Sequence, residues 1–265
     1  MPDVGIAGQA LRGRRVVITR PREQAASLAA AVRALGGEPI IAPAIAIVKP
    51  TSWAPLDAAL TRIDSYAWLI VTSAHAARAV CERAETLGVT DRLTGVRLAA
   101  VGTATAAALG GAQPSRVLVG NEYHAQALAD EIPDVAGHRI LFPRGDRASK
   151  VLPERLRARG ASIHDPVAYR TIPGEGLSLV LGEILADRCD ALVLSSPSTV
   201  EFVGAALADR GLKLTQRARP ALFCIGPVTA QAVRQLGVEP HGVAAGSAED
   251  LTDIMSRWFA NGATN

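Results

Sequence analysis

Arg14-Arg-Val-Val-Ile-Thr19 and Pro39-Ile-Ile-Ala42 are two apolar runs separated by a segment of different period. Between them Leu28, Val32 and Leu35 recur at helical spacing over residues 22–35, and Gly36-Gly37 ends the pattern. Apolar runs without polar alternation, joined through an amphipathic helix, are the signature of strands buried on both faces of a parallel sheet. The stretch therefore reads as a β-α-β unit, closed by its glycine pair. The fold class that follows is α/β.

The same grammar runs outward along the chain. Strands are expected at 67–72, 96–101, 117–119, 139–142, 161–164, 191–194 and 221–225. Helices are expected at about 74–87, 103–109, 124–131, 148–159 and 251–258, with two more ending at Gly211 and Gly237. The order also repeats. Arg33-Ala-Leu-Gly36 returns as Arg157-Ala-Arg-Gly160, and Val101-Gly-Thr-Ala-Thr-Ala106 as Ile225-Gly-Pro-Val-Thr-Ala230, each offset by 124. Leu69-Ile-Val-Thr-Ser73 returns as Leu192-Val-Leu-Ser-Ser196 at an offset of 123. Solenoid repeats run to roughly 20–50 residues, so this period means two copies of one domain. Two similar domains direct attention to a groove between them as the place for a ligand.

Two segments break the pattern. Pro43-Ala-Ile-Ala-Ile-Val-Lys-Pro50 and Pro166-Val-Ala-Tyr-Arg-Thr-Ile-Pro173 are short, extended and bounded by proline, and each follows the β-α-β unit of its copy. Residues before proline favour extended backbone, so both read as linkers. They divide the chain into one lobe of residues 1–42 plus 174–265 and a second of 51–165, with 43–50 and 166–173 pairing as a two-stranded ladder. Only two strands would then join the lobes, which predicts hinge motion.

Composition narrows the function. The 265 residues are 49% hydrophobic but only 4% aromatic, and the formal charge is +3. That excess is too small to point to nucleic acid. Lysine occurs only at 49, 150 and 213, so arginine supplies nearly all positive charge, a bias that suits carboxylate or phosphate ligands. Cys81, Cys189 and Cys224 are odd in number and widely spaced, as expected of buried thiols in a reducing compartment. Residues 1–11 lack the pattern of a signal peptide, and no run is long enough to span a membrane. A cytoplasmic protein is expected. His75, His124, His138, His164 and His241 show no metal-ligand spacing, and neither a dinucleotide fingerprint nor a P-loop is present.

The chemistry-bearing residues fall where strands end and helices begin. Thr72-Ser73, Gly102-Thr103-Ala-Thr105, Ser195-Ser196-Pro-Ser198 and Gly226-Pro-Val-Thr229 all occupy such places. In an open parallel sheet ligands bind outside the carboxyl ends of the strands, where helix N-termini present N–H groups to anions. Serine and threonine are also preferred helix caps, which accounts for any one of them without a ligand. Arg20 and Arg144 follow the first strand of each copy and are placed either to meet carboxylates or to face solvent. Tyr169, in the second linker, reads as a proton donor or as a packing residue.

Together these pieces resemble the uroporphyrinogen-III synthase family. The likeness extends from about Arg14 to Phe259 and is carried by Val17-Ile-Thr-Arg-Pro21, Pro43-Ala-Ile-Ala-Ile47, Ile70-Val-Thr-Ser73, Leu141-Phe-Pro-Arg-Gly145, Val167-Ala-Tyr-Arg-Thr171 and Ser195-Ser-Pro-Ser198, with the two glycine loops at 102 and 226. The resemblance implies two flavodoxin-like parallel-sheet lobes joined by a two-stranded ladder. It implies closure of linear hydroxymethylbilane to uroporphyrinogen III, with loss of water and inversion of ring D through a spiro intermediate, and no cofactor. Tyr169 then matches the family's linker tyrosine, which helps the hydroxyl leave. Thr72, Ser73, Thr103, Ser196, Ser198 and Thr229 match loops that hold the substrate; position 103 varies within the family. The expected partners are the substrate and, transiently, the upstream hydroxymethylbilane synthase, with the enzyme a monomer. A non-catalytic tetrapyrrole-binding module on the same fold is the alternative, and a two-lobed solute-binding protein is disfavoured by the expected lack of a signal peptide.

Overall fold

The structure, a computed structural model, describes residues 9–110, 117–120, 125–214 and 220–261. In chain order the elements begin with Arg15–Ile18 (β1), Arg22–Ala34 (α1), Glu38–Ile41 (β2), Ile45–Val48 (β3) and Ala54–Leu60 (α2). Trp68–Val71 (β4), Ala74–Thr86 (α3), Arg97–Ala100 (β5), Thr103–Ala107 (α4), Val117–Val119 (β6) and Ala125–Glu131 (α5) follow. Next come Arg139–Leu141 (β7), Arg144–Gly145 (β8), Val151–Ala158 (α6), Ser162–His164 (β9) and Val167–Pro173 (β10). Leu177–Leu185 (α7), Ala191–Leu194 (β11), Pro197–Ala208 (α8), Ala221–Cys224 (β12), Pro227–Gln235 (α9), Gly242–Val243 (β13) and Ala248–Ala260 (α10) complete the chain.

Two compact units result, one of Met1–Ala46 with Ile172–Asn265 and the other of Ile47–Thr171. The first holds a parallel sheet of order β13-β12-β11-β1-β2 and the second a parallel sheet of order β6-β5-β4-β7-β9. Under the repeat, β1, β2, β11, β12 and β13 correspond to β7, β9, β4, β5 and β6. Both sheets then have one order, 2-1-3-4-5, which is the flavodoxin-like winding. The chain enters this common fold at different points: the first unit starts with its β-α-β hairpin, whereas the second ends with it. The segments that pass between units, β3 and β10, are neighbours in a small sheet of order β3-β10-β8. The expected two-stranded ladder thus carries a short third strand, β8, formed by the residues just after β7.

Alternation along the central strands explains why each sheet is covered on both faces. In β11, Leu192 and Leu194 enter one core while Ala191 and Val193 enter another. In β4, Leu69 and Val71 face one core and Trp68 and Ile70 the other. All eight side chains are buried. The amino ends of the interior strands β1 and β11 are pinned by charge: the buried Asp190 carboxylate accepts from the Arg15 backbone N–H at 2.9 Å and from Arg14 at 3.1 Å. Arg15 also bridges Glu38 and the buried Glu183, each at 2.8 Å. Arg14 and Arg15, at the entry to β1, therefore form a structural clamp.

Helices α2 and α7 lie outside the expected set. The helical signal was present in α7, where Leu177, Val180, Leu181 and Ile184 keep one face. It was obscured by the glycines on either side of Glu175. Those glycines have another purpose: Gly174 and Gly176 donate N–H bonds to the carbonyls of Ala44 and Pro43 at 2.9 and 3.0 Å, and a Cβ on either would collide with that backbone. The helix expected from His124 is described from Ala125, and His124 itself lies outside the described residues, as do residues 1–8 of the stretch read for a signal peptide. No described helix is long and apolar enough to cross a membrane.

Candidate active site

In the first unit the ends of β1 and β11 bring four hydroxyls together. Thr19 is fully buried; its Oγ1 donates to the Val193 carbonyl at 2.6 Å and lies 3.5 Å from Ser195 Oγ. Ser195 Oγ is 3.4 Å from Thr199 Oγ1, which is 2.9 Å from Ser196 Oγ. Ser196 in turn caps α8 by accepting the Thr199 N–H at 3.2 Å. Ser198 is half-buried in the first turn of that helix. After β12, Gly226 is extended and precedes Pro227 at the start of α9.

Arg20 follows Thr19 at the end of β1. Its guanidinium is half-buried, and this burial lowers its pKa. Among the described residues it makes no ion pair or hydrogen bond. A charged group held out of water without a partner is unfavourable by itself, and an anionic ligand would relieve that cost.

In the second unit, adjacent strands β4 and β7 contribute to one cluster. Thr72 and Ser73 follow β4; Ser73 caps α3 by accepting the Ala76 N–H at 3.2 Å. Beyond β7 the chain turns into β8, whose Gly145 pairs in register with Tyr169 of β10. The Tyr169 ring packs against the unit's core and lies 5.5 Å from the His75 imidazole, tilted by 54°. Burial, helped by Arg78, lowers the His75 pKa, so the imidazole is neutral at pH 7. After β5, Gly102 adopts φ of 81°, a conformation that favours glycine, and turns the chain into α4.

Not every expected ligand residue has a free side chain. Arg144 is already engaged: Nε donates to Asp165 at 2.9 Å and Nη1 to the Gly145 carbonyl at 3.0 Å, so it braces β8. Thr105 and Thr229, expected among the ligand residues, are both buried, whereas Thr103 is exposed. Thr19, Thr199, His75 and Gly145 were not singled out from the sequence. Cys189 and Cys224 are buried, and burial pushes both thiols up to about 12, leaving them inert as nucleophiles. Among the described residues no three His, Cys, Asp or Glu side chains converge as a metal site.

The fold defines a class: a two-unit flavodoxin-like α/β protein in which hydroxyls follow the carboxyl ends of parallel strands in each unit, with Arg20 after β1 of the first and Tyr169 within β10 beside the second. Residues 26–251 match the family described as Uroporphyrinogen-III synthase HemD. The chain belongs to the uroporphyrinogen-III synthase family. A uroporphyrinogen-III synthase of Synechococcus elongatus is 33% identical over 168 residues, and that match spans 63% of this chain and 64% of the relative. Among solved structures, a mutant uroporphyrinogen III synthase of the extremely thermophilic bacterium Thermus thermophilus superposes with a TM-score of 0.71 at 22% identity, covering 94% of this chain and all of that one. A uroporphyrinogen-III synthetase of Helicobacter pylori gives 0.57 at 16% identity, covering 91% and 97% of the two chains. Both show the fold.

Proposed function

We propose that this chain is a cyclising lyase that closes hydroxymethylbilane to uroporphyrinogen III with loss of water. The observation that carries this reading within the family is Tyr169, held in the β8–β10 ladder beside the carboxyl ends of β4 and β7. Its phenol is the proton donor to the departing hydroxyl. Departure leaves an electron-poor methylene on ring A, which the substituted carbon of ring D attacks to form the spiro intermediate. The bond from that carbon to the methylene it shares with ring C then breaks, and the unsubstituted α-carbon of ring D attacks the freed methylene, which closes the macrocycle with ring D inverted. The proton lost as that ring regains aromaticity restores the phenol, so water is the sole by-product. The hydroxyl leaves readily from an electron-rich pyrrole, and the protein's main contribution is positioning.

The candidates to meet the substrate's eight carboxylates are, in the first unit, Arg20 with Ser196, Ser198 and Gly226 at the starts of α8 and α9, and, in the second, the loops at Thr72, Ser73, Gly102 and Thr103. Thr105 and Thr229 shape their loops from within, and Arg144 fixes β8 rather than meeting substrate. On this reading the enzyme is a cytoplasmic monomer that needs no cofactor and receives its unstable substrate by transient contact with hydroxymethylbilane synthase.

The test is isomer analysis. Hydroxymethylbilane generated in situ, treated with this protein and oxidised, should give the type III porphyrin on chromatographic separation. Isomer I alone, the product of spontaneous closure, would overturn the proposal.

A further inference from the structure

We propose that His75 and Gly145 are positioning residues that hold the Tyr169 phenol in one orientation, Gly145 by leaving the space the ring occupies and His75 by packing its imidazole against it. The inference rests on the reading of Tyr169 as proton donor. A Cβ at residue 145 would lie 2.7 Å from Tyr169 Cζ and 2.8 Å from Cε2 and Oη, closer than non-bonded atoms approach. Any other residue at 145 would therefore displace the hydroxyl end of the ring. The backbone around this contact is fixed on both sides. Arg144 N donates to the Pro166 carbonyl and Asp146 N to the Tyr169 carbonyl, both at 3.1 Å, while Asp146 Oδ1 accepts the Thr171 N–H at 2.9 Å. A register shift between Val167 and Tyr169 sets the direction in which the side chain leaves the strand.

His75 supplies the remaining restraint. It sits in the first turn of α3, which Ser73 already caps, so the helix start does not require it. Its tilted contact with the phenol, at 5.5 Å between centroids, is of the kind that favours one ring orientation.

Double-mutant kinetics and ring resonances test the inference together. His75→Ala and Gly145→Ala should each lower kcat for isomer III about tenfold with KM unchanged, since a small misplacement of a reacting group is costly. His75→Phe should restore most of the loss. In a Tyr169→Phe background neither change should cost more, because both act through the phenol. Fully additive losses, or His75→Phe no better than His75→Ala, would overturn the proposal. The ring resonances of the three tyrosines give a reading independent of turnover, with Tyr169 assigned by its absence in Tyr169→Phe. His75→Ala should shift that resonance. An unmoved resonance would overturn the positioning inference, whereas a wild-type protein making only isomer I would overturn the synthase reading and leave the resonance test to decide this one.

Discussion

Arg20 and Tyr169 differ in what their loss should cost. Arg20 is a half-buried cation with no partner among the described residues, so removing its charge frees the fold of an unpaired group. Arg20→Gln should raise KM for hydroxymethylbilane severalfold, spare kcat and leave the melting temperature unchanged or higher; steady-state kinetics beside a thermal melt checks this. Tyr169→Phe should do the reverse, slowing isomer III formation severalfold or more at unchanged KM and stability. Both stand out in the sequence because each holds a recognisable place in the chain, after a strand or inside a linker. Thr19 and Ser195 were not legible as a pair: they lie 176 residues apart, and their contact exists only once β1 and β11 are neighbours. The same holds for Gly145, whose reason for being glycine is a ring 24 positions away on another strand.

At the scale of the element, periodicity reports what a segment buries but not which backbone passes close by. Apolar runs marked every strand of the two five-stranded sheets except β13, whose two residues, Gly242 and Val243, are too short a run to stand out. Helix α7 was hidden because Gly174 and Gly176 look like turn residues, although their role is close backbone approach. Two alanine substitutions separate these effects. Gly176→Ala should destabilise by about 1–3 kcal/mol or more through collision with Ala42 and Pro43. Gly182→Ala, inside α7 with open space around its Cα, should stabilise by roughly 0.5–1 kcal/mol. Ser196→Ala should cost about 1 kcal/mol for the lost α8 cap. Urea unfolding of the three variants gives the comparison.

The whole molecule should also be acid-sensitive, through His164 and His241 in addition to His75. His164 Nδ1 lies 2.7 Å from Tyr66 Oη, and burial with the nearby Arg139 lowers its pKa. His241 Nδ1 accepts the Leu222 N–H at 3.0 Å, and burial lowers its pKa as well. Both are held below the usual histidine value of 6.5, so the unfolded chain takes up protons first as the medium is acidified. Their contribution to stability is therefore complete above that value and lost as pH falls through 6.5 toward the folded-state pKa. The melting temperature should be level above about pH 7 and decline below it, with a shallower decline in a His164→Gln/His241→Gln variant. An identical slope in the variant would assign the acid loss to other groups.

The central claim concerns how one linear tetrapyrrole closes. The measurement that tests it most directly is the fraction of type III product against protein concentration at a fixed supply of hydroxymethylbilane, with Tyr169→Phe run in parallel. The account predicts a fraction that rises with wild-type protein until isomer I disappears, and a displaced curve for the variant. A product that stays isomer I at every concentration would contradict it.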